Sequence, residues 1–351
     1  MSLLQNLPYK EYKYILKLSA EQCAVIAKLA DINILFNEKI RPGELLVKYL
    51  DRRGCSLSEF REFVTIALQE KSAYQPQLKV AILIANEKYN HLSKLATPSI
   101  DCDSLGNNLR SLDFVIVTIK NTNSSDLKDI LVKTFEAIPE NSYCVIFYAG
   151  HGCELCNAKC LLGIETPLEN IEFSHCVTEN WLLREVAKCK PELCVLIMDM
   201  CRINLDRATN PKIYTEISNL ESYTIHNDLI ISYSTQSAHS AYEVLQIECS
   251  TTIDNCVTYE LKTGDTDRIV PGASQYVTAL CNRLTENIDI SALLDKVHGD
   301  VENSIKKQRP IKVQCGVSKR SFYDPSKGDT KEFLTMLREA LEKYEENCAV
   351  L

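Results

Sequence analysis

Two short motifs place residues that could act as a base and a nucleophile two or three positions after apolar runs. His151 follows the run 145–149, and Cys201 follows the run 195–198. Runs this short and rich in Val, Ile and Leu are typical of strands buried on both faces of a parallel sheet. Ligands of such sheets bind outside the carboxyl ends of the strands. If the two strands are neighbours, His151 and Cys201 lie side by side at that edge.

A cysteine beside a histidine suits nucleophilic catalysis. A free thiol has a pKa of about 8.5, so only a small fraction is thiolate at neutral pH. An adjacent imidazole raises the reactive fraction or removes the thiol proton as a base. Gly152 has no side chain, so its N–H can face a developing oxyanion, with the N–H of Cys201 as a natural second donor. The alternative is a histidine and a cysteine that serve only the core.

The composition is that of an ordinary globular protein. The chain has 351 residues, enough for about two domains, with 45% hydrophobic and 25% charged residues. A net charge of −8 argues against nucleic acid or an anionic membrane surface as the main partner. Neither a signal-peptide pattern nor an apolar run long enough to span a bilayer is found. The 16 cysteines are therefore expected to be reduced, in the cytosol.

The N-terminal part, residues 1–72, has apolar positions at helical spacing and is predicted to be a small all-helical module. Ser19 and Ser58 precede apolar helical positions and are candidate N-caps. Residues 43–60 resemble the last two helices of a death domain, and the turn 53–56 carries most of that resemblance. Death-fold modules bind one another, so the resemblance implies adaptor or scaffold partners. A generic helical bundle is the alternative.

After a linker over residues 73–77, strands and helices alternate through residues 78–325. Such alternation predicts an α/β fold with a largely parallel sheet that is flanked by helices on both faces. Residues 326–351 are expected to form a charged helical tail. The predicted strands are 79–85, 114–119, 144–148, 193–198, 228–233 and 311–314, and the predicted helices are 100–112, 125–137, 178–188, 274–284 and 290–305.

Residues 78–325 resemble the caspase-like cysteine peptidases, and more closely the paracaspases of the mucosa-associated lymphoid tissue type. Five segments carry the resemblance: Val80-Ala-Ile-Leu-Ile-Ala-Asn86, Leu109-Arg-Ser-Leu-Asp-Phe114, Tyr148-Ala-Gly-His-Gly152, Asp199-Met-Cys-Arg202 and Ala241-Tyr-Glu243. The resemblance implies a caspase-like fold and an endopeptidase that acts through a thioester. His151 would be its base and Cys201 its nucleophile, and no cofactor is expected.

The charge near the nucleophile predicts the substrate preference. Caspases bind an acidic residue before the scissile bond, whereas here Asp199 stands two residues before Cys201 and would repel one. The paracaspase pattern adds two further acids, which fall on Asp101 and Glu243. Three carboxylates around one pocket favour Arg, whose planar guanidinium can be held by paired hydrogen bonds. Cleavage after Arg is therefore expected, although each acid alone could be a solvated surface charge.

The resemblance also implies how the protein assembles. Caspase-like domains commonly pair through the last strand of the sheet, here 311–314, so activation by homodimerisation is expected. Recruitment through the helical module would raise the local concentration. A role in immune or NF-κB-type signalling follows by analogy only. The family resemblance also includes immunoglobulin-like domains, for which the linker and the residues after about 325 are too short. Control of the peptidase by such domains is therefore in doubt.

Two further motifs suggest a zinc site and a lipid modification, and two other functions remain possible. Cys153, Cys156 and Cys160, with His175 and Cys176 further on, suggest zinc, but no second clean ligand pair exists and no metal site is expected. The ending Cys348-Ala-Val-Leu351 matches a prenylation pattern and would give the only membrane contact, although the residues before it are acidic. The alternatives are a calcium-dependent metacaspase-like peptidase and a signalling scaffold with little turnover.

Overall fold

The structure, a computed structural model, describes residues 3–16, 18, 20–32, 41–69, 74–155, 158–200, 203–217, 228–235, 245–247, 269–304, 308–317 and 319–351. The chain divides into two units, Met1–Gln75 and Pro76–Leu351. None of the helices in these ranges has the length and apolar character needed to cross a membrane.

The first unit is built from helices whose apolar faces meet in one core. Ile26, Leu46, Leu50 and Phe60 are fully buried there. Removing such side chains from water is the main source of stability for a small bundle, because short helices are marginal on their own. The helices are α1 (Leu3–Asn6), α2 (Tyr9–Ile15), α3 (Ala20–Leu29), α4 (Pro42–Arg53) and α5 (Leu57–Gln69).

A glycine ends α4 and lets the chain turn into α5. Gly54 has a φ of +79°, a left-handed conformation that costs glycine little. The N–H of Cys55 donates to the carbonyl of Leu50 at 3.0 Å, which satisfies a carbonyl that the helix end would otherwise leave without a partner. This turn lies within the segment predicted to be death-domain-like, and that assignment stays a prediction.

The N-cap of α5 is Ser56 and not the predicted Ser58. The hydroxyl of Ser56 accepts from the N–H of Glu59 at 3.2 Å, and the Glu59 carboxylate accepts from the N–H of Ser56 at 2.9 Å. This reciprocal pair is a capping box, which the spacing Ser-x-x-Glu specifies. Ser58 lies inside the first turn because the helix begins at Leu57. The other candidate cap, Ser19, lies outside the described residues.

The second unit contains a seven-stranded sheet in the order β12-β9-β7-β3-β1-β2-β13. The five inner strands are parallel, and β12 and β13 add antiparallel edges. The strands are β1 (Lys79–Ala85), β2 (Val115–Lys120), β3 (Tyr143–Ala149), β4 (Gly152–Leu155), β5 (Ala158–Leu162), β6 (Cys176–Thr178), β7 (Leu193–Asp199), β8 (Ile203–Asn204), β9 (Leu229–Tyr233), β10 (Leu245–Ile247), β11 (Ile269–Pro271), β12 (Ile311–Cys315) and β13 (Cys348–Val350).

Helices cover both faces of this sheet, as predicted. Every residue of β1 and β3 is buried, which accounts for the apolar sequence of β3 and for the apolar run that follows Lys79 in β1. Alternate residues of β1 lie in one hydrophobic core with residues of α7, α8 and α12, and α6 packs on the opposite face. The helices are α6 (Pro98–Arg110), α7 (Ser124–Ala137), α8 (Glu179–Ala187), α9 (Pro211–Ile217), α10 (Gln275–Arg283), α11 (Ile290–Ser304) and α12 (Thr330–Leu341), with 3₁₀ turns at Phe173–His175 and Glu342–Tyr344.

A second, smaller sheet has the order β6-β5-β4-β8 and begins directly after His151. Cys153 and Cys160 face each other across β4 and β5, and Cys176 lies on the same face from β6. All three thiols are buried. This sheet was not predicted, because its strands are too short to give a clear alternation.

The C-terminal segment belongs to the second unit and contains a helix followed by an edge strand. Helix α12 packs against α7, and β13 then pairs with β2. The pairing reaches the last residue: the N–H of Leu351 donates to the carbonyl of Ile116 at 2.8 Å, and the N–H of Ile116 donates back at 3.0 Å. Within the predicted tail 326–351, the helix covers Thr330–Leu341, the turn Glu342–Tyr344 follows, and an edge strand that was not predicted comes last.

Candidate active site

The carboxyl ends of β3 and β7 bring the two predicted catalytic motifs to one edge of the sheet. These strands are parallel neighbours, with Ala149 opposite Asp199. His151 follows Ala149 by two residues, and Cys201 follows Asp199 by two residues. The condition that the sequence left open, that the two strands are adjacent, is thus met. Cys201 itself lies outside the described residues.

The residues next to the predicted base and nucleophile are in contact. A Cβ atom at Gly152 would overlap the sulfur of Met200 and would lie 3.1 Å from the carbonyl oxygen of Cys160. Met200 is fully buried. The residue that precedes Cys201 therefore packs on the residue that follows His151, and only glycine leaves room for it.

The ring of His151 is oriented by the backbone of Ser93. Its Nε2 atom lies 2.8 Å from the carbonyl oxygen of Ser93 and 3.2 Å from the Ser93 hydroxyl. A carbonyl oxygen only accepts, so the tautomer that satisfies this bond carries its proton on Nε2. Nδ1 is then the basic nitrogen. The role of Ser93 could not be predicted from the sequence, because Ser93 orients the ring through its backbone carbonyl and any residue type has one.

Two buried tyrosines hold the backbone of His151. The N–H of His151 donates to the hydroxyl of Tyr89 at 2.7 Å, and the hydroxyl of Tyr148 donates to the His151 carbonyl at 2.7 Å. The ring of Tyr89 also packs on the imidazole, with 4.6 Å between the ring centroids. Burial raises the pKa of both phenols, so both remain protonated. Tyr148 opens the motif quoted above but was given no role there, and Tyr89 was not noted in the sequence.

Two of the three predicted pocket acids meet at one residue. The backbone N–H of Ser274 donates to Asp101 Oδ1 at 2.6 Å, and the Ser274 hydroxyl donates to Asp199 Oδ2 at 2.7 Å. Asp101 is 1% exposed in the first turn of α6, so it is not a solvated surface charge. Glu243, the third acid, lies outside the described residues.

The cysteines near this edge are buried thiols. Hydrogen bonds with a neighbouring thiol, followed by burial, raise the pKa of Cys160 and Cys176, so both are protonated at neutral pH. His175 Nδ1 accepts from the N–H of Glu172 at 3.0 Å, in the cap of a 3₁₀ turn. Within the described part of the chain, no group of three or more potential ligands is placed to hold a metal ion. Cys156 lies outside that part.

The predicted prenylation residue is built into the sheet. Cys348 is half-buried in β13 and packs against the main core, and burial raises the pKa of its thiol to about 11. A thiol with this pKa is almost entirely protonated at neutral pH. Prenylation stays a prediction, and it would require β13 to leave β2.

Comparisons with known proteins agree with this arrangement. A family model described as the caspase domain (Peptidase_C14) matches residues 78–322. The mucosa-associated lymphoid tissue lymphoma translocation protein 1 of Homo sapiens is 24% identical over 265 residues, which are 74% of this chain and 29% of that protein. Its Mus musculus homolog is 24% identical over 253 residues, 71% of this chain and 27% of the homolog. The chain thus spans less than a third of the length of these curated relatives.

A solved structure shares the fold. The crystal structure of caspase-1 from Spodoptera frugiperda has a TM-score of 0.50 at 16% identity, and the match covers 73% of this chain and 94% of that one. The family match covers well over half of the chain and includes the motifs of His151 and Cys201. The chain therefore belongs to the caspase-domain family of cysteine peptidases, and it is similar to the paracaspases.

Proposed function

We propose that the chain is a cysteine endopeptidase that cleaves selected proteins after Arg. The observation that carries the proposal is that Asp101 and Asp199 are both bound to Ser274 at the carboxyl edge of the sheet. Asp199 is in register with Ala149, two residues before His151. Negative charge is thereby concentrated next to the proposed catalytic base.

In the proposed reaction, Cys201 is the nucleophile and His151 the proton carrier. His151 Nδ1 takes the thiol proton, and the thiolate attacks the scissile carbonyl carbon. The N–H groups of Gly152 and Cys201 bind the oxyanion, and each such donor is typically worth about 10²–10³ in rate. The imidazolium gives its proton to the leaving amine, which leaves a thioester. Water, activated by the same imidazole, then hydrolyses the thioester.

Specificity for Arg would come from carboxylates that approach the guanidinium from different elements. Asp101 comes from α6 and Asp199 from β7, and the third acid of the proposal is Glu243. Planar guanidinium forms paired hydrogen bonds with carboxylates that are fixed in position, whereas an acidic substrate side chain would be repelled. The buried surroundings of Asp101 strengthen both effects, because the local dielectric is low.

We further propose that activity depends on dimerisation through β12. This strand pairs with β9 and forms an edge of the seven-stranded sheet. Ile311 and Val313 are 37% and 49% exposed on it, which is a high fraction for apolar side chains of a strand. Exposed apolar edge strands readily pair with another chain. Recruitment of the helical module by an adaptor or scaffold would favour this pairing in immune or NF-κB-type signalling.

The test is an assay on fluorogenic peptides that differ only in ending with Arg or Asp. Cys201→Ala removes the proposed nucleophile, and Cys189→Ala is the matched control because it removes a buried thiol two residues after α8. The protein is assayed as isolated and as a forced dimer, with and without calcium. We expect calcium-independent cleavage after Arg that is lost with Cys201→Ala and retained with Cys189→Ala.

Each other outcome has a defined meaning. Cleavage after Asp would contradict the acidic pocket. Cleavage that requires calcium would favour a metacaspase-like peptidase. Absence of cleavage by the forced dimer would favour a signalling scaffold with little turnover.

A further inference from the structure

We propose that Ser274 is a positioning residue that sets the arrangement of Asp101 and Asp199 and thereby the preference for Arg over Lys. The inference rests on the proposed cleavage after basic residues. It adds a residue that determines substrate specificity, although this residue lies in neither catalytic motif and is not acidic.

Ser274 binds both acids through donors of its own, one from the backbone and one from the side chain. Its N–H binds Asp101, and its hydroxyl donates to Asp199, at 2.6 and 2.7 Å. The same hydroxyl accepts from the N–H of Val277 at 3.2 Å, as the N-cap of α10. The hydroxyl rotor is therefore fixed by a donor on one side and a carboxylate on the other. Ser274 is 4% exposed, so these bonds are shielded from water.

The position of Ser274 connects elements that the chain otherwise keeps apart. Asp101 lies 173 residues before Ser274, and Asp199 lies 75 residues before it. Asp101 belongs to α6 and Asp199 ends β7. The distance between the two carboxylates therefore depends on Ser274, which is bonded to both. The first turn of α10 also carries partial positive charge, which attracts the two neighbouring carboxylates.

A change in this separation would affect Arg and Lys substrates unequally. Guanidinium is rigid and planar, and its paired hydrogen bonds require carboxylates at defined positions. Ammonium is a compact charge on a flexible stem, and it tolerates displaced carboxylates. Loss of the Ser274 hydroxyl would remove one hydrogen bond that positions Asp199 and would weaken binding of Arg more than binding of Lys. We expect the ratio of kcat/KM for Arg to that for Lys to fall by about tenfold, since small misplacements of binding groups have effects of this order or larger.

The experiment compares two peptides that differ only in Arg or Lys before the scissile bond. Ser274→Gly is the main variant, because glycine is accepted at N-caps and keeps the N–H that binds Asp101. Ser274→Thr keeps a hydroxyl and should restore the ratio. Thr178→Ala is the matched control, because the Thr178 hydroxyl caps α8 with the same 3.2 Å bond to a backbone N–H. The ratio does not depend on how much of each preparation is folded.

The result expected is a lowered Arg-to-Lys ratio for Ser274→Gly, with the wild-type ratio for Ser274→Thr and Thr178→Ala. An unchanged ratio in Ser274→Gly, in a wild type that prefers Arg, overturns this inference and leaves the proposed function intact. An equal fall of the ratio in Thr178→Ala also overturns it, because the effect would then follow from the loss of any helix cap. A wild type that cleaves after neither Arg nor Lys overturns both.

Discussion

Gly152 is the residue where the requirements of packing and of the proposed chemistry coincide. A Cβ atom there would overlap the sulfur of Met200, the residue before Cys201. The Gly152→Ala variant must therefore displace the buried Met200 side chain or its own backbone, and each shift occurs beside a proposed oxyanion donor. We expect kcat/KM on the Arg peptide to fall by about 10²-fold or more, because losing a single such donor has an effect of this size. Steady-state kinetics with active-site titration would measure it.

A second glycine supplies the control for this substitution. Gly299 lies inside α11, and a Cβ atom there would have no neighbour within 4 Å. The Gly299→Ala variant should raise the free energy of unfolding by about 0.5–1 kcal/mol, because alanine favours the helix and restricts the unfolded chain. Its activity should equal that of the wild type. Full activity in Gly152→Ala would contradict the proposed role of Gly152.

Tyr89 offers a test of how His151 is held. The Tyr89→Phe variant keeps the ring that packs on the imidazole and removes the hydroxyl that accepts from the His151 N–H at 2.7 Å. We expect kcat to fall about tenfold at nearly constant KM, because a misplaced base slows chemistry without loosening substrate binding. Tyr323→Phe is the control, since that hydroxyl donates to the carbonyl of Leu284 after α10. A raised KM with unchanged kcat would argue against this role.

Strands could be predicted where they are buried on both faces, because such strands have long apolar sequences. Strands β1, β3 and β7 were predicted within one or two residues of their bounds, because each runs through the core as an unbroken apolar segment. The sheet β6-β5-β4-β8 was missed, because its strands have between two and five residues. The cap of α5 could have been found, since Ser56 and Glu59 have the spacing of a capping box.

Helix α11 carries a histidine that should make stability depend on pH. Nε2 of His298 lies 2.7 Å from the hydroxyl of Ser232 on β9, which also bonds to Tyr276 on α10. Burial lowers the pKa of His298 to about 4, while nearby Asp295 raises it and Lys312 lowers it further. The ordinary pKa of histidine is about 6.5, so between these values the unfolded chain binds a proton that the folded chain does not. Stability contributed by neutral His298 is therefore lost as the pH falls from about 6.5 to 4.

The His298→Gln variant separates this effect from other titrations. An amide can keep the hydrogen bond to Ser232 but does not ionise in this range. The loss of unfolding free energy between pH 7 and pH 4 should be smaller than in the wild type by up to about 3 kcal/mol, because one pKa unit corresponds to about 1.4 kcal/mol. Denaturant titrations at several pH values would measure it, with exposed His91→Gln as the control. Equal slopes for wild type and His298→Gln would show that His298 is not the group responsible.

For the whole molecule, the sequence indicated which residue types act but not which neighbours orient them. His151 and its strand were recognisable from a local motif, whereas the Ser93 carbonyl, Tyr89 and Ser274 reach the site through tertiary contacts. Such contacts have no local periodicity. They depend on the register of strands and on loop paths, which a single sequence leaves open. The same limit applies to the C-terminal strand, since three residues after a helix do not predict a partner at the far edge of the sheet.

The last strand should stabilise the second unit and protect one edge of its sheet. Ala349 lies opposite Thr118 in β13, with its side chain exposed, and the antiparallel alternation directs its N–H toward β2. Ala349→Pro removes that donor and should lower the free energy of unfolding by about 2–3 kcal/mol. Ala349→Val, at the same exposed position, should be neutral or slightly stabilising because branched side chains suit strands. Because an uncovered β2 edge is open to pairing with another chain, Ala349→Pro should also self-associate. Thermal unfolding and light scattering would measure both effects, and equal stability of the two variants would show that β13 contributes little to the fold.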